Sequence, residues 1–325
     1  MGLTAEQKRM RMEGIGASEI AAVAGLDPYR GPMDVYLRKR GLTTETEAET
    51  DAQARGNWLE PILADWYAKE RHCEIAAGHT CRSAAHPWAL ATPDFLTDQV
   101  DGPEHFPGDG LEVLLECKTA GLRQVHKWGE PGTDEVSESY LLQVQWQMAV
   151  TGARRVDVVV YLATQALPSI YEVRADPALQ AGLLSIGDRF WREHVEPGVP
   201  PPLDGSEGAR EWLRQTYPRH VSKIRQATPE EVEIAERYRD IYNRAAEAEH
   251  EKDEAKAKLS AIIGESEGIE WAAGRITWKA PKPTARVAWE DLARSLGATA
   301  EQIRKFTTEA ASSRRFLAKF SEREE

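Results

Sequence analysis

Two short stretches, ATPDF at 91–95 and LEVLLECK at 111–118, decide how this chain reads. In a strand, side chains at i and i+2 share a face. In LEVLLECK the odd positions Leu111, Val113, Leu115 and Cys117 make an apolar face, so the even positions Glu116 and Lys118 project together on the other. A carboxylate beside an ammonium can serve a divalent cation and a nucleophilic water at once. Asp94 supplies a second carboxylate if the strand that carries it pairs alongside. Oxygen ligands of this kind suit Mg²⁺ or Mn²⁺. A Glu-x-Lys pair on a strand is, by itself, usually a solvated face with a surface ion pair.

Three further segments add weight. In RMEGIGASEI at 11–20 a basic residue and a Gly-rich turn lead into an apolar run. Ser18 is expected to cap a helix running toward Gly25. A helix N-terminus with a free hydroxyl and Arg11 nearby makes a phosphate seat, although an ordinary capped helix reads the same way. In RGNWLEPILADWYAKE at 55–70, Leu59, Ile62, Leu63 and Trp66 mark an apolar helical stripe with Glu60 beside it. A glutamate near a helix start is also what the helix dipole favours. In YLLQVQWQMAVTG at 140–152, Leu141, Val144, Met148 and Thr151 recur at helical spacing, and Gln143 and Gln147 share a face one turn apart. A glutamine there can hydrogen-bond a phosphate or an attacking water, or can simply be the polar side of an amphipathic helix.

Taken in order, GIGASEIAAVAGLDPYRGPMDVYLRKRG, GNWLEP, HPWALATPDF, LECKT and YLLQVQWQMAVTG resemble the phage-type YqaJ recombinase nucleases, relatives of lambda exonuclease in the PD-(D/E)XK nuclease superfamily. The resemblance covers about residues 8–200; a weaker one covers SSRRFLAKF near the C-terminus. It implies an α/β restriction-endonuclease-like core with a central mixed sheet flanked by helices. It implies Asp94, Glu116 and Glu60 as ligands of one or two Mg²⁺ or Mn²⁺ ions. Lys118 would polarise or deprotonate the attacking water, and Gln143 would stand near the reaction centre. Arg11 and Ser18, helped by Thr92, would hold a terminal 5′-phosphate. The activity implied is 5′-to-3′ resection of linear duplex DNA ends for recombination. The implied partners are a single-strand annealing protein and further copies of the chain in a ring such as a trimer. Readings left open are an endonuclease or single-strand exonuclease on the same core, and a non-catalytic DNA-binding module. One departure is visible: the family's Pro-Asp-Gly is Pro-Asp-Phe at 93–95. Phe95 lacks glycine's access to φ > 0, so a different local turn, with Phe95 walling the site, is expected.

The rest of the chain sets bounds. Its 325 residues suffice for one large domain with an appendage. No apolar run is long enough to span a bilayer and no signal-peptide pattern opens the chain, so a cytoplasmic enzyme is expected. Three cysteines without CxxC spacing argue against a disulfide scaffold or a four-Cys cluster. The net charge of −12 is unusual for a DNA-binding protein. Residues 1–40, however, carry seven basic against five acidic side chains, and acidity concentrates at 44–51 and 229–254. Bound cations would cancel part of the charge at the site, and DNA binding should be sequence-nonspecific and weakened by salt.

Alternating helical and strand patterns predict a nuclease domain over 1–200, with helices near 18–25, 32–40, 52–71, 139–151 and 176–194. Strands are expected near 87–97, 111–118, 155–163 and 169–174. The Pro/Gly-rich EPGVPPPLDGSEG begins a linker over 201–227. A C-terminal helical arm with a small hairpin is expected over 228–325. Residues 228–262, rich in Ala, Glu, Lys and Arg, read as a long solvated helix or coiled-coil arm, and GIEWAAGRITWKAP as the hairpin.

Overall fold

The computed structural model describes residues 5–42, 50–98, 113–271, 274–280 and 288–306. Leu111, the acidic run at 45–49 and SSRRFLAKF at 312–320 lie outside the described residues. The chain divides into two compact units between Tyr217 and Pro218.

The first unit opens with α1 (Ala5–Met12), β1 (Ile15–Gly16), a 3₁₀ turn (Ala17–Glu19), α2 (Ile20–Val23), α3 (Pro32–Lys39) and α4 (Asp51–Arg71). Short strands β2 (Ile75–Ala77), β3 (Cys81–Arg82), β4 (Ala89–Ala91) and β5 (Phe95–Thr97) precede the long β6 (Val113–Ala120). Then come α5 (Glu138–Thr151), β7 (Arg155–Leu162), β8 (Ser169–Arg174), α6 (Pro177–Phe190) and α7 (Glu207–Thr216). The main sheet has the order β2-β5-β6-β7-β8. It is mixed: β6 and β7 run parallel, and the other neighbours antiparallel.

β6 is a central strand covered on both faces. Leu114 packs with Val144 and Met148 of α5. On the other face Leu115 and Cys117 pack with Leu63, Ala64 and Tyr67 of α4. Val113, Leu114 and Leu115 are fully buried, so the expected polar face is polar only at its C-terminal end, from Glu116 onward. That end carries the site, because Glu116 and Lys118 line the cleft there.

The strand expected over 87–97 is two strands in two sheets. β4 joins the small sheet β1-β4-β3, and β5 joins the main one. Between them lies Thr92-Pro93-Asp94. Pro93 has no N–H to give to a ladder, and the chain changes sheet there. Gly78 fixes the crossing: its N–H donates to the Asp94 carbonyl at 2.9 Å. A Cβ on Gly78 would stand 1.9 Å from the Pro93 carbonyl oxygen.

Two more expectations change. Gly16, not Ser18, occupies the N-cap position, and it precedes a 3₁₀ turn and a helix of four residues. The Glu19 carboxylate accepts from the Gly16 N–H at 2.7 Å, and the Ser18 hydroxyl, inside the 3₁₀ turn, accepts from Arg11 instead of capping a helix. The segment expected to be linker holds α7, capped by Ser206 and packed on α3. Its Ala209 is buried and Trp212 packs against the main core, burial that outweighs the loop-like composition just before it.

The second unit consists of α8 (Pro229–Ile263), the hairpin β9 (Gly268–Trp271) and β10 (Gly274–Thr277), α9 (Trp289–Ser295) and α10 (Ala300–Lys305). Among the described residues no helix is long and apolar enough to cross a membrane.

Candidate active site

The register builds the site. Leu115 pairs with Phe95 and Leu114 with Leu96 in the antiparallel β5–β6 ladder. Asp94, immediately before β5, thereby reaches the Glu116–Cys117 segment, and its Oδ2 accepts from the Cys117 N–H at 2.8 Å. The same register puts Phe95 on the Leu115 face. It packs with Leu63 and Tyr67 instead of walling the cleft. It lies in an extended strand, and His72 is the one non-glycine among the described residues with φ > 0, so the family's glycine is not needed for this backbone.

Glu116 is held from three directions. Lys118 Nζ and Gln143 Nε2 each donate to Oε1 at 2.5 Å, and Gln147 Nε2 donates to Oε2 at 2.7 Å. Gln147 is fully buried. Sequence reasoning noted that Gln147 shares a face with Gln143 but assigned it no place in the site. Their one-turn spacing was the available signal, since a glutamine pair on the otherwise buried side of a helix needs a polar partner. Gln145 points the other way: its amide donates to the Arg174 carbonyl and accepts from the Asp176 N–H, tying α5 to the β8–α6 corner.

Lys118 also lies over the Tyr140 ring, 5.1 Å from its centre. Burial by itself would lower the Lys118 pKa; the Glu116 and Asp94 carboxylates outweigh it and raise it above the ordinary lysine value. The ammonium therefore keeps its proton here and acts as a fixed positive charge. Asp94 is pushed up to about 8, chiefly by burial and next by Glu116, with Lys118 and the Cys117 N–H opposing. Burial, then Asp94, pushes the Cys117 thiol up, so it is neutral.

The Arg11 and Ser18 side chains meet: Arg11 Nη2 donates to Ser18 Oγ at 2.5 Å. Residues with no sequence signal brace the pair. Lys39 Nζ donates to the Arg11 carbonyl at 2.5 Å and to Glu19 Oε2 at 2.6 Å. Arg30 donates to the Ser18 carbonyl at 2.8 Å. Burial lowers the Lys39 pKa while Glu19 opposes that shift. Thr92 Oγ1 sits 3.0 Å from Thr80 Oγ1.

All eight residues singled out in the sequence, Arg11, Ser18, Glu60, Thr92, Asp94, Glu116, Lys118 and Gln143, line one cleft of about 1410 Å³. Its walls carry six basic side chains (Arg11, Arg30, Arg38, Arg55, Lys118 and Lys127) against Glu60, Asp94 and Glu116. The cleft thus inverts the sign of the chain's net charge. Glu60 stands mid-helix in α4, beside Pro61, and not in the first turn. Among the described residues no three His, Cys, Asp or Glu side chains form a ready metal cluster. Asp94 and Glu116 come together, and Glu60 lines the cleft without completing a triad. That donor set still fits Mg²⁺, which keeps several waters and takes one or two carboxylates plus substrate phosphate oxygens.

Residues 6–154 match the model of the YqaJ-like viral recombinase domain. A Bacillus subtilis (strain 168) protein, "Uncharacterized protein YqaJ", is 27% identical over 208 residues, covering 64% of this chain and 61% of the relative. A protein of Acanthamoeba polyphaga mimivirus, "Uncharacterized protein R354", is 28% identical over 151 residues, 45% of this chain and 26% of the relative. The chain spans less than two thirds of either relative's length. Among solved structures, an alkaline exonuclease from Laribacter hongkongensis is similar with a TM-score of 0.47 and 22% identity, over 66% of this chain and 97% of that one. A phage-related exonuclease from Haemophilus somnus 129PT has a TM-score of 0.40 and 13% identity, over 55% and 94%.

Proposed function

We propose, from the match of residues 6–154 to the YqaJ-like viral recombinase domain, that this chain is a divalent-metal-dependent exonuclease resecting linear duplex DNA 5′ to 3′. One observation carries the reading: Asp94, Glu116 and Lys118 converge at the end of β6, in the same basic cleft as the Arg11–Ser18 pair.

Each residue has a physical task. Asp94 and Glu116 would hold the cation, with Glu60 in the wall of the same cleft as the third carboxylate. When bound, a divalent cation supplies positive charge to the scissile phosphate and eases water activation. Lys118 stays protonated, orients the attacking water and offsets negative charge on the phosphoryl oxygens. Gln143 and Gln147 fix the Glu116 carboxylate, and Gln143, at the cleft wall, can also donate to a phosphate oxygen. The Arg11 guanidinium and Ser18 hydroxyl would receive a terminal 5′-phosphate, with Thr92 alongside; guanidinium forks suit phosphate geometry. The cleft's basic lining reconciles duplex binding with the net charge of −12. A single-strand annealing protein as partner and a cytoplasmic setting follow from the same reading.

The test is digestion of linear and closed circular duplex DNA, with and without Mg²⁺, with 5′-phosphate and 5′-hydroxyl ends compared. Metal-dependent loss of linear DNA only, faster from 5′-phosphate ends, is the expected result. Cutting of the circle would favour an endonuclease. DNA binding without cleavage under every metal condition would favour a non-catalytic module.

A further inference from the structure

We infer that α8 is a self-association element: it packs in parallel and in register against α8 of further copies of this chain. The helix spans Pro229–Ile263, 35 residues, a length of about 52 Å. Its apolar positions follow a seven-residue repeat. Ile234, Ile241, Ala248, Ala255 and Ile262 form one row, and Tyr238, Ala245, Lys252 and Leu259 the other, with spacings alternating between four and three. Eight of these nine seam positions are apolar over four heptads. A straight helix with that pattern buries its stripe by supercoiling with another helix.

Within the chain the stripe is largely open to solvent. Ile234 and Ile262 are each 70% exposed and Ile241 45%. Ala245, Ala248 and Ala255 are exposed too. Aliphatic residues repeated at core spacing and left in water are a docking face.

Flanking charge identifies the occupant and its direction. With Tyr238 and Leu259 at a positions and the isoleucines at d, the g positions are Arg237, Arg244, Glu251 and Lys258, and the e positions include Tyr242, Glu249, Lys256 and Ile263. In a parallel coil each g faces the e five residues on in its partner. Arg244 then meets Glu249 of the other copy, and Glu251 meets Lys256. Arg237 meets Tyr242, and Ile263, opposite Lys258, is already buried within its own chain, so no like charges face each other. In an antiparallel coil g faces g, and aligning Arg244 with Glu251 would force Arg237 against Lys258. Lys252 sits at an a position, reaching back to Glu249 at 2.5 Å; a single charged residue in the seam disfavours shifted registers.

The test uses the full chain with one cysteine added at a time, Ala248→Cys or Ala255→Cys, both d positions. Ala257→Cys, on the outer face, is the control. Under mild oxidation at low protein concentration, peptide mapping should find the 248–248 and 255–255 disulfides between copies, and none at 257. Any antiparallel axis can bring at most one of the two d positions against itself. In either d variant, adding Glu251→Lys should lower the yield about fivefold, as expected when exposed pairs turn repulsive. Adding Lys256→Glu as well should restore it. A link at neither d position, or at only one, overturns the inference, as does a charge swap that fails to restore the yield.

Discussion

At the residue scale the site rests on two carboxylates and the groups that aim one of them. Asp94→Ala or Glu116→Ala should abolish cleavage, since each removes a cation oxygen, in protein that circular dichroism shows to be folded. Retention of more than about a tenth of the rate, a barrier change below roughly 1.4 kcal/mol, would contradict the assignment. Lys118→Ala should cut turnover with little loss of DNA affinity. Lys118→Arg should not rescue it, because a planar guanidinium does not fit where an ammonium meets Glu116 and the Tyr140 ring. Single-turnover rates beside DNA titrations separate the two effects. Gln147 lies behind Glu116 and off the cleft wall. Gln147→Leu should therefore slow cleavage by about 10- to 100-fold, the usual cost of losing a partner that orients a metal ligand, with end preference unchanged. For Arg11→Ala the expectation is the reverse: digestion of 5′-phosphate ends slows to the 5′-hydroxyl rate. An unchanged preference would reduce Arg11 to a surface charge.

At the scale of elements, what matters is where the chain crosses between sheets. The Thr92–Asp94 crossing is pinned by Gly78, which donates to the Asp94 carbonyl and leaves no room for a Cβ against Pro93. Gly78→Ala should push the Pro93–Asp94 backbone aside, costing about 1–3 kcal/mol in chemical denaturation. It should also slow cleavage more than its stability loss explains, because Asp94 moves with that backbone. Normal cleavage by a folded Gly78→Ala protein would show that the crossing does not set the carboxylate's position. The LECKT strand, the α5 glutamine face and the long α8 were all legible from period and composition, because each satisfies its own pattern locally. Division of 87–97 between two sheets was not, since ALATPDF offers one continuous extended reading and only pairing partners divide it. The Ser18 cap failed for a similar reason: Ser18 lies inside a 3₁₀ turn, and its hydroxyl accepts from Arg11, seven residues earlier.

Across the whole molecule, burying like charges in one cleft ties stability to pH. The folded Asp94 pKa of about 8 lies above the unfolded value near 3.9. Its contribution is therefore complete below about pH 4 and is lost as pH rises toward 8. Asp157, raised by burial despite Tyr67 and Arg155, acts in the same direction. Lys118, raised as a base, keeps its contribution throughout that window. Metal-free protein should melt lower at pH 8 than at pH 5, by about 5 °C. Asp94→Asn should flatten that decline. Mg²⁺ at pH 8 should raise the melting temperature of the wild type but not of Asp94→Asn. Melting that rises from pH 5 to 8 in the presence of chelator would contradict the burial of these charges.

The sequence by itself determined the α/β class, the strand end bearing Glu116 and Lys118, the glutamine face opposite it and the long charged arm. Those features follow from periods of 2 and 3.6 along a single segment. Only the tertiary structure decided that Arg11, Ser18, Asp94 and Glu116 share one cleft, that Lys39, Glu19 and Arg30 brace the Arg11–Ser18 pair, and that Phe95 faces the core. Those placements depend on register between segments distant in the chain, and register is set by pairing and burial that no local pattern contains.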